Sequence, residues 1–265
     1  MSKYVLFNPH LEGDAFLWEA GPVGILLLHG FTATTAEVRL FAKNLHDRGY
    51  SVAGPLLAGH GTRPEDLNRV TWQDWVESGE KAFRQLESCC KNIFLGGESM
   101  GGLVALYLAG RHPEARGVLL YAPALKLTLS TADKLKLVIG SSIMPFAKRE
   151  SMDASDKWQG YDPELPTRGI IQLLRFQDAV KKILSTVKQP VIVFQGRKDK
   201  TVDPLAGAIL LQGVSSVMKE HHWMEDSAHP ILLENELDAV TDLSLNFIVN
   251  VLKSSPPRDL AITVY

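Results

Sequence analysis

Cysteine is nearly absent: the 265 residues hold two, Cys89 and Cys90, side by side. Adjacent cysteines rarely bond to each other, and two thiols build neither a disulfide framework nor a four-thiolate zinc site. Charge of one sign is missing too. Lys and Arg number 28 against 30 Asp and Glu, a formal net charge of −2, and no block of like charge interrupts the chain. Nothing here points to nucleic acid or to an anionic lipid surface as a partner. No apolar run approaches the ~20 residues of a membrane helix, so stable membrane insertion is not expected. The opening MSKYVLFNPHLEGDAFLWEAG carries Asn8, His10, Glu12 and Asp14 where a secretory leader would be apolar. A soluble, cytoplasmic protein is the expectation. GESMGG lacks the Gly-Lys-Ser/Thr ending of a phosphate loop, and Gly59-His60-Gly61 runs into Pro64 rather than into a dinucleotide turn. His60 has no companion at metal-ligand spacing, so no metal site is expected.

What is present suits a globular enzyme. Hydrophobic residues make up 45% and charged residues 22%, and a chain of this length buries close to ~75% of its extended surface. Short β-rich runs alternate with helical patterns. GILLLHG (Gly24–Gly30), Tyr50–Ala53, Asn92–Gly96, Val118–Ala122, Gln189–Gln195 and Lys219–Met224 read as strands. Between them, helices are expected from Thr35 to Leu45 (with Val38, Leu40, Phe41 and Leu45 on one face), over 72–88, from Met100 to Ala109 and from Ile170 to Val187. Ile231–Leu252 reads as a long closing helix, and SSPPRDLAITVY as a loosely held tail. Near-continuous apolar strands alternating with helices imply an α/β fold with a mostly parallel sheet covered on both faces.

One segment departs from this rhythm. Residues 126–167 show no strand pattern, only short amphipathic pieces such as Leu135, Leu137, Val138, Ile139 and Ile143, Met144, Phe146. That is too long for a plain loop. It is expected to form a helical cap, with residues 1–125 and 168–265 as the core. Leu137 and Ile143 are candidate substrate contacts, the alternative being that such residues fill the cap's own small core.

Between two apolar runs lies Gly97-Glu98-Ser99-Met100-Gly101, a match to G-x-S-x-G. A strand that turns sharply into a helix crosses it so closely that side chains two residues either side of the turn would collide. Glycine at 97 and 101 removes them. Ser99 is then raised above the sheet at a helix N-terminus, which favours negative charge. A serine hydroxyl needs a base to become nucleophilic. Asp/Glu and then His should follow in the chain, each just past a strand. Asp199 stands after PVIVFQG; its rival, Asp203, directly precedes Pro204 and reads as a helix N-cap. Of the histidines in HHWMEDSAHP, His221 and His222 fall within the last strand, whereas His229 sits in the loop beyond it. The oxyanion donors in this arrangement are the backbone N–H groups of Met100 and Phe31. His29 reads as a brace for its loop, and Glu98 as solvated or bound to a neighbouring loop rather than as a second acid.

HGFT (His29–Thr32), GHG (Gly59–Gly61), TWQDW (Thr71–Trp75), GESMGG, GRKDKTVDP and SAHP together resemble the α/β-hydrolase superfamily, and within it the small bacterial carboxylesterases and monoacylglycerol lipases. The family's G-x-x-D-x-x-V pattern fits Gly196 through Val202 and favours Asp199 as the acid. The resemblance implies a helical cap after the sixth strand and two-step acyl transfer without metal or cofactor. The implied substrate is a small-molecule or lipid ester of short to medium acyl chain. Amide, thioester, lactone or carbon–carbon bond cleavage, or a low-turnover receptor, are the alternatives.

Overall fold

The computed structural model describes residues 6–141, 143–148, 156–162 and 164–254. The tail expected at the C-terminus lies, from residue 255 on, outside them. The strands are β1 (Phe16–Trp18), β2 (Val23–Leu28), β3 (Ser51–Gly54), β4 (Asn92–Glu98), β5 (Gly117–Tyr121), β6 (Phe146–Lys148), β7 (Glu164–Pro166), β8 (Val191–Gly196) and β9 (Lys219–Met224). The helices are α1 (Ala36–His46), α2 (Pro64–Leu67), α3 (Trp72–Cys89), α4 (Met100–Arg111), α5 (Thr131–Gly140), α6 (Thr167–Ile183), α7 (Ala206–Gly213) and α8 (Leu237–Ser254).

Seven strands form one sheet in the order β1-β3-β2-β4-β5-β8-β9. All neighbours run parallel except β1, which pairs antiparallel with β3 at the edge. Successive strand side chains point to opposite faces, so the unbroken apolar runs feed two cores. Leu26, Leu28, Val118, Leu120, Val191 and Val193 pack on one face with α3, α4, α6 and α7. Ile25, Leu27, Leu119, Tyr121, Ile192 and Phe194 pack on the other with α1 and α8. From β2 the chain moves outward to β3, then returns to lay β4 on β2's other side. The carboxyl ends of β2 and β4 therefore flank a topological switch point, where such sheets bind ligands.

Several boundaries differ from the sequence pattern, each for a local reason. β1 is three residues long, too short to show a period; it is held by the stacked rings of Phe16 and Trp18, with the Arg39 guanidinium 4.6 Å from the Phe16 centroid. α1 buries Val38, Phe41, Ala42 and Leu45, while Leu40 turns outward. α4 continues through Gly110 to Arg111. The closing helix does not begin at Ile231: residues Ile231–Leu233 form a 3₁₀ turn, and α8 starts at Leu237. The Leu232 N–H in that turn donates to Glu98 Oε1 at 3.1 Å. The segment expected to be strandless holds α5 and then the antiparallel pair β6–β7, with Phe146 opposite Pro166 and Lys148 opposite Glu164.

Where β4 turns into α4 the backbones approach closely, α4 lying against both β4 and β2. A Cβ at Gly97 would lie 2.3 Å from the Gly101 carbonyl carbon, and one at Gly101 would lie 2.0 Å from the Leu28 carbonyl oxygen. These obstacles are backbone and cannot swing aside. Gly97→Ala is expected to lower the unfolding free energy by about 3 kcal/mol or more, at the upper end of overpacking costs. Urea denaturation measures this, and an unchanged midpoint would contradict the packing account.

Candidate active site

Ser99 sits between β4 and α4 with φ 53° and ψ −113°, a positive φ that a non-glycine residue adopts at a cost of roughly 1–3 kcal/mol. Two backbone bonds hold it there: its N–H donates to the Tyr121 carbonyl at 2.8 Å, and its carbonyl accepts from Ala124 N–H at 3.0 Å. Its hydroxyl meets His229, with Oγ 2.9 Å from Nε2. His229 lies in the loop after β9, and its Nδ1 is 2.9 Å from Asp199 Oδ2. Asp199 follows β8. Its other oxygen accepts from the amides of Thr201 (2.7 Å) and Val202 (3.0 Å). Burial pushes this carboxyl up, but His229 and the two amides outweigh it, and its pKa falls below the ordinary carboxylate value. An ionised acceptor is thus aimed at Nδ1. The Nδ1–H tautomer leaves Nε2 free to take the serine proton.

Met100 directly follows Ser99, and Phe31 lines the same cavity. Met100 opens α4, where a helical N–H has no acceptor within its own helix. Among the described residues the Phe31 N–H has no backbone acceptor. The turn that carries Phe31 is braced from behind. His29 is fully buried, accepts the Leu57 N–H at Nε2 (3.0 Å) and so donates through Nδ1 to the Gly30 carbonyl (2.9 Å). Burial lowers its pKa to about 4 against the opposing Gly30 bond, keeping it neutral. His60 is also buried, with Nδ1 against the Leu57 and Ala58 carbonyls. Among the described residues no group of three His, Cys, Asp or Glu could hold a metal.

The rival residues lie elsewhere. Asp203 pairs with Lys126 Nζ at 2.9 Å and accepts the Leu205 N–H in a turn ahead of α7, which starts at Ala206; it does not cap that helix. His221 Nε2 is 3.0 Å from Gln195 Oε1, and His222 Nε2 is 3.1 Å from Glu220. Above Ser99 opens a cavity of about 890 Å³, near the upper end for small-molecule sites. Phe31, Leu137, Met144, Phe146, Trp158, Ile170 and Leu173 line it, together with Ser99 and His229. Leu137 is in this wall. Ile143 is not: it is 84% exposed, and its neighbour Met144, though 62% exposed, borders the cavity instead.

Two carboxylates in the site region were not legible as buried. Glu98 is fully buried, which rules out a solvated side chain; burial and the neighbouring Glu37 push its pKa well up, against bonds from the Leu232 and Ile231 amides. Glu37, 5% exposed, lines the cavity and accepts the Gly30 N–H. Burial raises its pKa from 4.5 to about 7, with the Gly30 amide, His229 and the Trp158 side chain pulling the other way. Between those pH values the folded protein keeps a proton that the unfolded chain releases. The stability linked to this group is therefore full below pH 4.5 and is lost as the pH rises through 7. Glu37→Gln should gain on the wild type by about 2–3 kcal/mol between pH 5 and pH 8. Denaturant unfolding at both values reads the difference, and a gap that does not change with pH contradicts the assignment.

The family described as serine aminopeptidase, S33 matches residues 23–236. A thermostable monoacylglycerol lipase from Bacillus sp. (strain H-257) is 34% identical over 243 residues, covering 90% of this chain and 96% of that one. A carboxylesterase of Bacillus subtilis (strain 168) is 27% identical over 85% of this chain and 92% of its own. Among solved structures, one reported for LipS and LipT, two metagenome-derived lipolytic enzymes, superposes with a TM-score of 0.84 at 31% identity, over 91% of this chain and 99% of that one. The seven-stranded sheet with its helices and the 214-residue match (236 − 23 + 1) agree: this chain belongs to the S33 serine aminopeptidase family of α/β-hydrolases.

Proposed function

We propose that this protein is a carboxylic ester hydrolase working through an acyl-enzyme on Ser99. The observation that carries the reading is the unbroken relay from Ser99 Oγ through His229 to Asp199, with both links at 2.9 Å. In the first step His229 Nε2 takes the hydroxyl proton as Oγ attacks the ester carbonyl. The N–H groups of Phe31 and Met100 stabilise the tetrahedral oxyanion, each such donor worth roughly 3 kcal/mol. His229 then protonates the departing alcohol, while Asp199 holds and stabilises the imidazolium. Water, deprotonated by the same nitrogen, releases the acid. No step calls for a metal.

Lipid-like esters of short to medium acyl chain, monoacylglycerols included, are the proposed substrates. Two features support this: the largely apolar cavity over Ser99 and the monoacylglycerol lipase and carboxylesterase among the relatives. Of the segment 126–167, residues 142, 149–155 and 163 lie outside the described residues; the described part acts as a cap over this cavity. α5 contributes Leu137 to its wall, the link after it Met144, and the β6–β7 pair Phe146 and Leu165; Leu137 is the proposed acyl contact. A peptide-bond activity, which the family's description suggests, is the second reading.

Steady-state hydrolysis of p-nitrophenyl esters from acetate to palmitate, beside Ser99→Ala, tests the proposal. The wild type should turn over with an optimum below palmitate, and Ser99→Ala should be inactive. Equal rates for both would remove Ser99 from the mechanism, and turnover only of aminoacyl anilides would favour the peptidase reading. Asp199→Asn should lose about 10⁴-fold in kcat, as acid removal does in Ser-His-Asp enzymes, while Asp203→Asn stays within a few-fold; the reverse pattern overturns the acid assignment. Leu137→Trp should shorten the preferred acyl chain, and an unchanged chain-length profile would take Leu137 out of the acyl wall.

A further inference from the structure

The proposed mechanism uses the Phe31 N–H but does not explain what holds it in place. Phe31 lies in a turn after β2. The next residue, Thr32, has φ 66°, a strained value away from glycine, so the turn needs outside support. Behind it His29 holds the Gly30 carbonyl. In front, the Gly30 N–H is taken by the Glu37 carboxylate, reaching across from the first turn of α1. Both backbone groups of Gly30, immediately before Phe31, are thus fixed by buried side chains.

Glu37 is placed for more than packing. A Cβ at Gly30 would lie 2.9 Å from Glu37 Oε2 and 3.3 Å from the Ser99 Cβ, so carboxylate and nucleophile press on the same glycine. The carboxylate lines the cavity with Gly30, Phe31, Ser99 and His229. It also accepts a bond from the side chain of Trp158, which comes from the segment over the cavity. A carboxylate buried this deeply is costly to keep, yet here it joins the turn, the nucleophile's surroundings and the cavity wall. Glu98 and His229 face it electrostatically from β4 and from the loop after β9.

From this we infer that Glu37 is a positioning residue for ester hydrolysis: by holding the Gly30 N–H it sets the Phe31 N–H toward the oxyanion. The inference rests on the ester-hydrolase reading of the same site. It makes reach, rather than charge, the property that matters. Glu37→Asp keeps an ionisable carboxyl group but withdraws the oxygens by one methylene, whereas Glu37→Gln keeps an acceptor at full reach and cannot ionise.

The test compares p-nitrophenyl butyrate kinetics and butylboronic acid inhibition for the wild type, Glu37→Asp and Glu37→Gln, with Ser99→Ala alongside. Thermal unfolding confirms that each is folded. Glu37→Asp should lose at least about tenfold in kcat with KM within about threefold, because the interaction is made in the transition state. It should bind the boronate, a tetrahedral mimic, at least about tenfold more weakly. Glu37→Gln should recover most of both. Wild-type kcat and boronate affinity in Glu37→Asp, or an active Asp variant beside an inactive Gln one, would overturn the inference. Two inactive variants with unchanged boronate affinity would overturn it as well. A wild type that does not cleave the ester, or a Ser99→Ala that does, would instead bring down the underlying ester-hydrolase reading.

Discussion

The β4–α4 crossing is the constraint on which the rest of this molecule turns. With no side chains at 97 and 101, strand and helix backbones meet in contact, and the chain reverses within the single residue between them. That reversal lifts Ser99 out of the sheet with a positive φ and puts the start of α4 beneath its oxygen. It also decides where everything else must arrive. Asp199 and His229 follow the carboxyl ends of β8 and β9, on the same edge as Ser99, so a parallel sheet gathers residues 130 positions apart into a chain of two short hydrogen bonds.

Polar groups buried beneath this edge brace the loops. Glu98 takes the Leu232 amide, one of the free N-terminal N–H groups of the 3₁₀ turn that follows His229. Glu37 takes the Gly30 amide on the other side of Ser99, and His29 closes the same turn from behind. Burial raises the pKa of both carboxyl groups, and for Glu98 the neighbouring Glu37 adds to it, so an unpaired one would be a liability. Their amide bonds fix both loops that face Ser99, the preorganisation that the proposed mechanism calls for.

Much of this was legible because glycine and apolar spacing report backbone geometry directly. GILLLHG and PVIVFQG read as strands covered on both sides, and the strands within them, Val23–Leu28 and Val191–Gly196, are. Gly97 and Gly101 announced the crossing. Asp199 and His229 stood out by following strands, and the structure brings them to Ser99. Features set by a few residues were not visible. β1 and the β6–β7 pair are three residues each, shorter than any period, and Leu40 had an apolar identity but an outward direction. Ile143 and Met144 are chemically alike neighbours, and only the path of the chain decides which faces the cavity. Glu37 was hidden because an acid in the first turn of a helix reads as an ordinary partner of the helix dipole. Nothing in its neighbours signals that this one points into the site.

The most direct test of the account is to trap the acyl-enzyme position. The protein should be incubated with a fluorophosphonate, with residual p-nitrophenyl butyrate hydrolysis followed beside peptide mass spectrometry. The account predicts one adduct per chain, on Ser99, with activity falling in proportion to its occupancy. Full loss of activity with the adduct on another residue, or full labelling of Ser99 with hydrolysis intact, would contradict it.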